Sequence, residues 1–164
     1  MNNMIVRENR VNGFEKESLL EQLRACLPEI LKPRPVLLAY LYGSLAEGCA
    51  TNLSDIDIAL VLEPNCGLDA YQRFLLELEI ETEIESCCRF QSLDVRSIND
   101  APLRVQGQVM IRGLLLYSKD EEFRVSYEVF TRRRFFDFQP VLLMMRAAYF
   151  SRLEDELKEK ELHV

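Results

Sequence analysis

Histidine is almost absent from this sequence, because the one residue of this type, His163, lies next to the C-terminal residue. Serine and cysteine nucleophiles usually need a histidine base, so Ser-His-Asp and Cys-His catalysis are disfavoured. Any reaction that the chain catalyses is therefore expected to depend on carboxylates and bound metal ions.

Positive charge is also scarce. The chain has 20 Lys and Arg against 27 Asp and Glu, which gives a formal net charge of −7. Proteins that hold nucleic acid by its phosphates need a basic surface, so we expect no direct nucleic-acid binding.

The sequence has no apolar run of about 18 residues and no charged-then-apolar leader, which predicts a cytoplasmic protein without a membrane span.

Paired cysteine motifs are missing as well. The cysteines are odd in number and form no Cys-x-x-Cys pair: Cys26, Cys49, Cys66, Cys87 and Cys88. This pattern predicts reduced thiols in a cytosolic protein, and neither a disulfide framework nor a zinc site.

The apolar residues alternate between strand and helix patterns along a chain of 164 residues, which suits one domain. The pattern predicts strands at about 36–42, 56–62, 92–98 and 114–117, and helices at about 14–31, 68–86, 99–112 and 120–160. We therefore expect a single α/β domain over 1–164, made of a core at 14–117 and a C-terminal helical extension at 118–164. Pro140 is expected to kink or break the last helix.

The helix predicted at 68–86 contains a conflicting signal. Its first half has apolar residues at helical spacing, which predicts that four side chains point inward: Tyr71, Phe74, Leu75 and Leu78. From 77 to 85, glutamates alternate with other residues at period two, which is a strand pattern. We favour a helix because glutamate is a good helix former, and we interpret these glutamates as a solvated acidic face.

The most informative stretch runs from 41 to 62. A predicted strand ends at Gly43-Ser44, where a short helical turn can begin, and free backbone N–H groups at such a turn can bind phosphate. Ser44 and Glu47 also have the spacing of a capping box, so Ser44 has a structural interpretation as well.

Ten residues after Ser44 come Asp55 and Asp57, at the start of the next predicted strand. Side chains two apart in a strand share a face, about 7 Å apart at Cα. Such a pair can hold metal ions ~4 Å apart, as two-metal phosphoryl chemistry requires. Asp94 is a third candidate ligand, because it lies in an otherwise apolar predicted strand; the alternative is an ion pair with Arg96 on the same face.

Gly-Ser, ten residues and Asp-x-Asp resemble the signature of the polymerase-β-like nucleotidyltransferases, and Ser-x-Ala-x-Gly with Ser-Asp-x-Asp resembles their minimal nucleotidyltransferase (MNT) group. The resemblance implies a small mixed β-sheet flanked by helices. It assigns Asp55, Asp57 and Asp94 to catalysis and to two Mg²⁺ ions, which Mn²⁺ can replace. It assigns Gly43 and Ser44, with Asp55 and Asp57, to binding of ATP.

The chain resembles the MNT antitoxins of HEPN ribonuclease toxins. This resemblance implies that the chain transfers AMP from ATP to a tyrosine of such a toxin and forms a hetero-oligomer with it. Two alternatives stay open: transfer to a small molecule such as an aminoglycoside, and an antitoxin that masks its partner by binding alone. One departure from the family pattern is Glu47, where many relatives have a basic residue. We expect Glu47 to fold back as a cap, away from the nucleotide.

The last predicted helix combines aromatic residues with arginines, including Arg132, Arg133, Arg134 and Arg146. The spacing of Phe123, Tyr127 and Phe130 predicts core positions, and the remaining aromatics exceed what one helix can bury. Aromatic residues with arginine are typical of protein interfaces, whereas RNA stacking is disfavoured by the acidic charge.

Overall fold

The computed structural model of the chain describes residues 13–49, 54–88 and 92–161. The strands are β1 (Val36–Tyr42), β2 (Ile56–Leu62), β3 (Leu93–Ser97) and β4 (Leu114–Ser118). The helices are α1 (Gly13–Leu31), α2 (Gly43–Ala46), α3 (Ala70–Cys88), α4 (Leu103–Arg112) and α5 (Glu121–Glu161). The predicted mixed α/β fold is confirmed, and the stretch at 77–85 is helical as favoured from its composition.

The four strands form one mixed sheet in the order β3-β2-β1-β4. The central strand β1 is antiparallel to both β2 and β4, whereas β2 is parallel to β3. A parallel pair needs a crossover, which α3 supplies. The order leaves β3 at one edge of the sheet.

Period-two alternation in the strands produces two apolar layers. Ala39, Leu41, Ile58 and Leu60 pack with α1 and α3, while Leu38, Tyr40, Ala59 and Val61 pack with α4 and the first part of α5. Both faces of the sheet are therefore covered, which explains why β1 and β2 read as continuous apolar runs. No helix in the described parts of the chain is long and apolar enough to cross a membrane.

Helix α3 buries a different face from the one predicted. Tyr71, Phe74, Leu75 and Leu78 are 37–67% exposed, and the buried residues are Glu77, Ile80 and Ile84. The cause is the free edge of β3, whose outward N–H groups need acceptors. Glu77 Oε1 accepts from Ser97 N at 2.8 Å and from Ser97 Oγ at 2.6 Å, and Glu81 Oε2 accepts from Val95 N at 3.3 Å.

A buried carboxylate attaches α5 to the sheet. Glu128 is 9% exposed and accepts from Tyr40 Oη at 2.9 Å and from Arg124 Nη1 at 2.7 Å, while Arg132 Nη2 lies 3.1 Å away. Burial and the Glu128 carboxylate raise the pKa of Tyr40, so the phenol stays a hydrogen-bond donor. Three donors compensate the buried charge, which would otherwise cost several kcal/mol.

Helix α5 departs from the predictions at Pro140 and at Phe130. Pro140 lies inside a continuous helix, so the expected break is wrong. Pro140 and its neighbours are exposed, and water can satisfy the carbonyl group that loses its N–H partner. Phe123 and Tyr127 pack in the core as predicted, but Phe130 is 59% exposed.

The reversed face of α3 generates a stability prediction. Ile80→Ala should lower the free energy of unfolding by about 2–5 kcal/mol, because it opens a cavity between α3 and the sheet. Phe74→Ala is the matched control on the exposed face and should change it by about 0.5 kcal/mol or less. Urea unfolding measures both values, and equal losses would contradict the burial of Ile80.

Candidate active site

The sheet register brings the strand carboxylates together. Asp57 in β2 is the register partner of Asp94 in β3 and of Tyr42 in β1. Register partners in a sheet point to the same face, so the three side chains form a row across three strands. Asp55 precedes β2 by one residue, two positions from Asp57.

Gly43 is required by its closeness to Asp57. Its φ of +73° is a conformation that residues with a Cβ rarely adopt. A Cβ added at Gly43 would also overlap Asp57 Oδ2 and lie 3.1 Å from Asp57 Cγ. The glycine of the Gly-Ser motif therefore makes room for a candidate metal-binding carboxylate.

Ser44 does not form the predicted capping box. The one-turn helix α2 begins at Gly43, so Ser44 lies inside it, and its N-cap residue, Tyr42, makes no side-chain cap hydrogen bond. The expectation that Glu47 folds back as a cap is also wrong. Both Glu47 carboxylate oxygens accept from Arg112 Nη1 at 3.0 Å.

Contacts from α1 and α4 hold α2 in place. Lys16 Nζ donates to the Ala46 carbonyl oxygen at 2.8 Å, and Arg112 neutralises Glu47 just after the turn. The negative charge at position 47 is therefore partnered by a cation, which reduces its repulsion of a bound phosphate. Sequence reasoning missed Lys16 and Arg112 because both are remote from the motif.

The carboxylates repel one another. Burial, then the charge of Asp94, then the charge of Asp55 raise the pKa of Asp57. Burial, Asp57 and Asp94 likewise raise the pKa of Tyr42. Carboxylate oxygens are the ligands that Mg²⁺ prefers, and a cation relieves this repulsion, so the donor set of Asp55, Asp57 and Asp94 fits a divalent metal.

Asp94 also forms the ion pair that was the alternative interpretation. Arg96 Nε lies 3.0 Å from Asp94 Oδ1, and Arg96 Nη1 lies 3.5 Å from Glu77 Oε2. The side chains of Arg96 and Asp94 are 50% and 40% exposed, and such pairs contribute about 1 kcal/mol or less. A divalent cation can therefore compete for Asp94, and Glu77 offers Arg96 a second partner.

Ser92, the residue just before β3, orients Asp55. Ser92 Oγ donates a hydrogen bond to Asp55 Oδ1, and the Ser92 carbonyl oxygen accepts from Ile56 N at 3.0 Å. Ser92 and Asp55 are far apart in the sequence, and the parallel pairing of β2 with β3 brings their side chains into contact. The site thus contains two further polar residues, Tyr42 and Ser92, that the motif alone does not indicate.

A family model matches more than half of the chain. The family model described as polymerase beta, nucleotidyltransferase matches residues 26–122, a range that contains all four strands and Gly43, Ser44, Asp55, Asp57 and Asp94. No curated protein matches the chain in sequence.

Several solved structures share the fold. One is a chain of a toxin–antitoxin crystal structure with AMP-PNP, at 21% identity and TM-score 0.61, covering 77% of this chain and 98% of that one. A second comes from the complex of a tri-AMPylated Shewanella oneidensis HEPN toxin with its MNT antitoxin, at 19% identity and TM-score 0.58, covering 80% and 98%. A third comes from the toxin–antitoxin pair MntA-HepT, at 19% identity and TM-score 0.51, covering 85% and 99%. At these identities the likeness is one of fold.

Gly43 and Gly48 allow the role of the glycine to be tested with a matched pair. Both have φ of +73°, but a Cβ at Gly48 meets nothing within 4 Å. Alanine at either position should cost about 1–2 kcal/mol for its backbone conformation. Gly43→Ala should in addition displace Asp57 and weaken Mn²⁺ binding by roughly tenfold or more, measured by calorimetry. Equal Mn²⁺ affinity in the two variants would contradict this role.

Burial of Asp57 and its repulsion by Asp94 and Asp55 predict that its charge destabilises the metal-free protein. Because the folded state raises the pKa of Asp57, it holds the proton more tightly than the unfolded chain, and stability falls as pH rises through that range. Asp57→Asn should therefore raise the Tm by about 1–2 °C at pH 7 in EDTA.

The control for this measurement is Glu79→Gln, which removes one exposed charge from α3. Its Tm should stay at the wild-type value. An Asp57→Asn protein that melts at or below the wild-type temperature would show that Asp57 is not under repulsion.

Proposed function

The chain belongs to the polymerase beta nucleotidyltransferase family, and on that basis we propose that it is a Mg²⁺-dependent adenylyltransferase and an antitoxin. It transfers AMP from ATP to a tyrosine hydroxyl of a cognate HEPN-type ribonuclease toxin. The observation that carries the proposal is the alignment of Asp57 with Asp94, beside Asp55 and the Gly-Ser turn. A fold neighbour from a complex with a tri-AMPylated HEPN toxin and another from a structure with AMP-PNP support the acceptor and the nucleotide.

The site residues divide into a metal-binding set and a phosphate-binding set. Asp55, Asp57 and Asp94 would hold two Mg²⁺ ions, or Mn²⁺ in their place. When bound, the metal neutralises the triphosphate and acidifies the attacking hydroxyl. Ser44 and the backbone of α2, held by Lys16 and Arg112, bind the terminal phosphates.

The reaction is an in-line displacement at the α-phosphorus of ATP. The tyrosine hydroxyl oxygen forms a bond to this phosphorus, the bond to the bridging oxygen of the β-phosphate breaks, and pyrophosphate leaves with that electron pair. The hydroxyl proton passes to Asp94 or, through it, to solvent. Ser92 keeps Asp55 oriented throughout by its hydrogen bond.

A groove between α4 and α5 supports a protein acceptor. Its volume is about 660 Å³, and it is lined by aromatic and aliphatic side chains with three arginines, Arg104, Arg112 and Arg146. Arg112 also pairs with Glu47, the residue that follows α2, so this end of the groove lies beside the proposed phosphate-binding turn. Large exposed apolar surfaces mark interaction sites, and aromatic and arginine side chains are typical interface anchors.

Exposed aromatic residues of α5 lie in the groove and on other sides of the helix. Arg134 lies 5.3 Å from the ring centroid of Phe130, and Arg146 lies 5.6 Å from that of Phe150. Phe136 and Tyr149 are also more than half exposed. We assign the groove to the toxin, because its lining combines the aromatic and arginine side chains that are typical of interfaces.

The proposal predicts a covalent change in the partner. A HEPN-domain protein encoded by the adjacent gene should gain one or more AMP groups, and lose ribonuclease activity, when incubated with the wild-type protein and Mg-ATP. Asp55→Asn combined with Asp57→Asn should still bind the partner but add no mass, with at least a thousandfold loss of transfer rate. Intact mass spectrometry and a ribonuclease assay after separation measure both effects.

A matched control removes the same charge elsewhere. Glu29→Gln combined with Glu79→Gln changes two exposed carboxylates on α1 and α3 and should transfer AMP at the wild-type rate. If the partner gains no mass and recovers its activity on separation from wild type, this chain masks its partner by binding alone. If AMP is added only to a small alcohol, the acceptor is a small molecule.

A further inference from the structure

Three of the five cysteines meet although they are far apart in the sequence. Cys26 lies on α1, and Cys87 and Cys88 are the last two residues of α3. Their sulfur atoms all lie within 4.8 Å of one another. We propose that this cysteine trio binds a thiophilic metal ion, with Zn²⁺ as its most suitable occupant.

The spacing of the sulfur atoms suits such an ion. Thiolates bound to Zn²⁺ at about 2.3 Å in tetrahedral geometry are about 3.8 Å apart, so the trio has to contract by about 1 Å at most. Cys87 and Cys88 are at a helix end, where the chain adjusts more readily than in a helix interior. Three thiolates leave a fourth position for water.

Exposure of the three residues provides an entry route. Cys26 is buried, Cys88 is half-buried and Cys87 is exposed. The ion can therefore enter from the Cys87 side, which also supplies the water ligand, while Cys26 forms the closed end of the site. This arrangement differs from the active site, whose carboxylate oxygens suit Mg²⁺ and not a soft metal.

Metal binding exchanges protons for the ion. Zn²⁺ binds cysteine as the thiolate, so each sulfur that carries a proton releases it to the buffer when its Zn–S bond forms. No oxidant or reductant is needed.

Such an ion would connect α1 to α3 shortly before the chain enters β3. Asp94 lies in β3, so only a few residues of the sequence separate the end of α3, with Cys87 and Cys88, from this residue of the active site. The bound metal would stabilise the position of this edge strand without taking part in the transfer reaction.

The test is a titration of the full-length, chelator-treated protein with Co²⁺ and then Zn²⁺, in a phosphine reductant and excess Mg²⁺. Co²⁺ bound by thiolates gives an intense near-ultraviolet charge-transfer band and visible bands of tetrahedral cobalt. The wild type should show these bands at one equivalent of Co²⁺ and lose them on adding one equivalent of Zn²⁺. Cys87→Ser should bind Zn²⁺ at least about tenfold more weakly.

Cys49→Ser is the matched control, because Cys49 is an exposed cysteine outside the trio. It should keep the wild-type spectrum and Zn²⁺ affinity. Both substitutions are at exposed positions, so both proteins are expected to fold, which circular dichroism checks. Absence of the thiolate band in the wild type, or an unchanged band in Cys87→Ser, would overturn the proposal.

Discussion

The parallel pairing of β2 with β3 is the constraint on which the site depends. Its register places Asp57 beside Asp94, and Gly43 at the end of β1 leaves space for the Asp57 carboxylate. Burial, together with the like charges that this register brings close, raises the pKa of Asp57, so the metal-free fold is less stable than it would be with a neutral side chain at this position. A scaffold of this kind needs stabilisation elsewhere, and a bound cation relieves the local cost.

That stabilisation comes from two buried carboxylates as well as the apolar layers. Glu77 accepts hydrogen bonds from the outward backbone and side chain of Ser97, and so closes the edge of the strand that carries Asp94. Glu128 joins α5 to Tyr40 in the central strand through hydrogen bonds. Both residues have several partners, which is the condition under which buried charge does not destabilise a fold. Glu77 also contacts Arg96, so the edge that supports Asp94 is linked to the cation that pairs with it.

The carboxylates, the clustered cysteines and the apolar groove lie in different parts of the molecule. Carboxylate oxygens, which suit a hard metal ion, lie at the end of the sheet beside α2, and cysteine sulfurs, which suit a soft one, lie at the end of α3. Apolar and arginine side chains line the groove between α4 and α5. Arg112 belongs both to this groove and to the ion pair with Glu47, which connects the proposed partner surface to the proposed phosphate-binding turn. The negative charge of Glu47 is thus compensated by a residue of α4.

Local pattern determined the elements and the motif. The strands at 36–42 and 56–62, the glycine turn and the Asp-x-Asp spacing follow from short-range periodicity, because a strand's alternation and a turn's need for glycine are properties of neighbouring residues. Tertiary structure decided which groups meet. The buried face of α3 is set by unpaired N–H groups at the edge of β3, Glu47 is paired by Arg112, and the cysteine trio depends on how α1 packs against α3. Such contacts join residues remote in sequence, and since they arise from satisfying buried polar groups and packing layers, periodicity does not encode them.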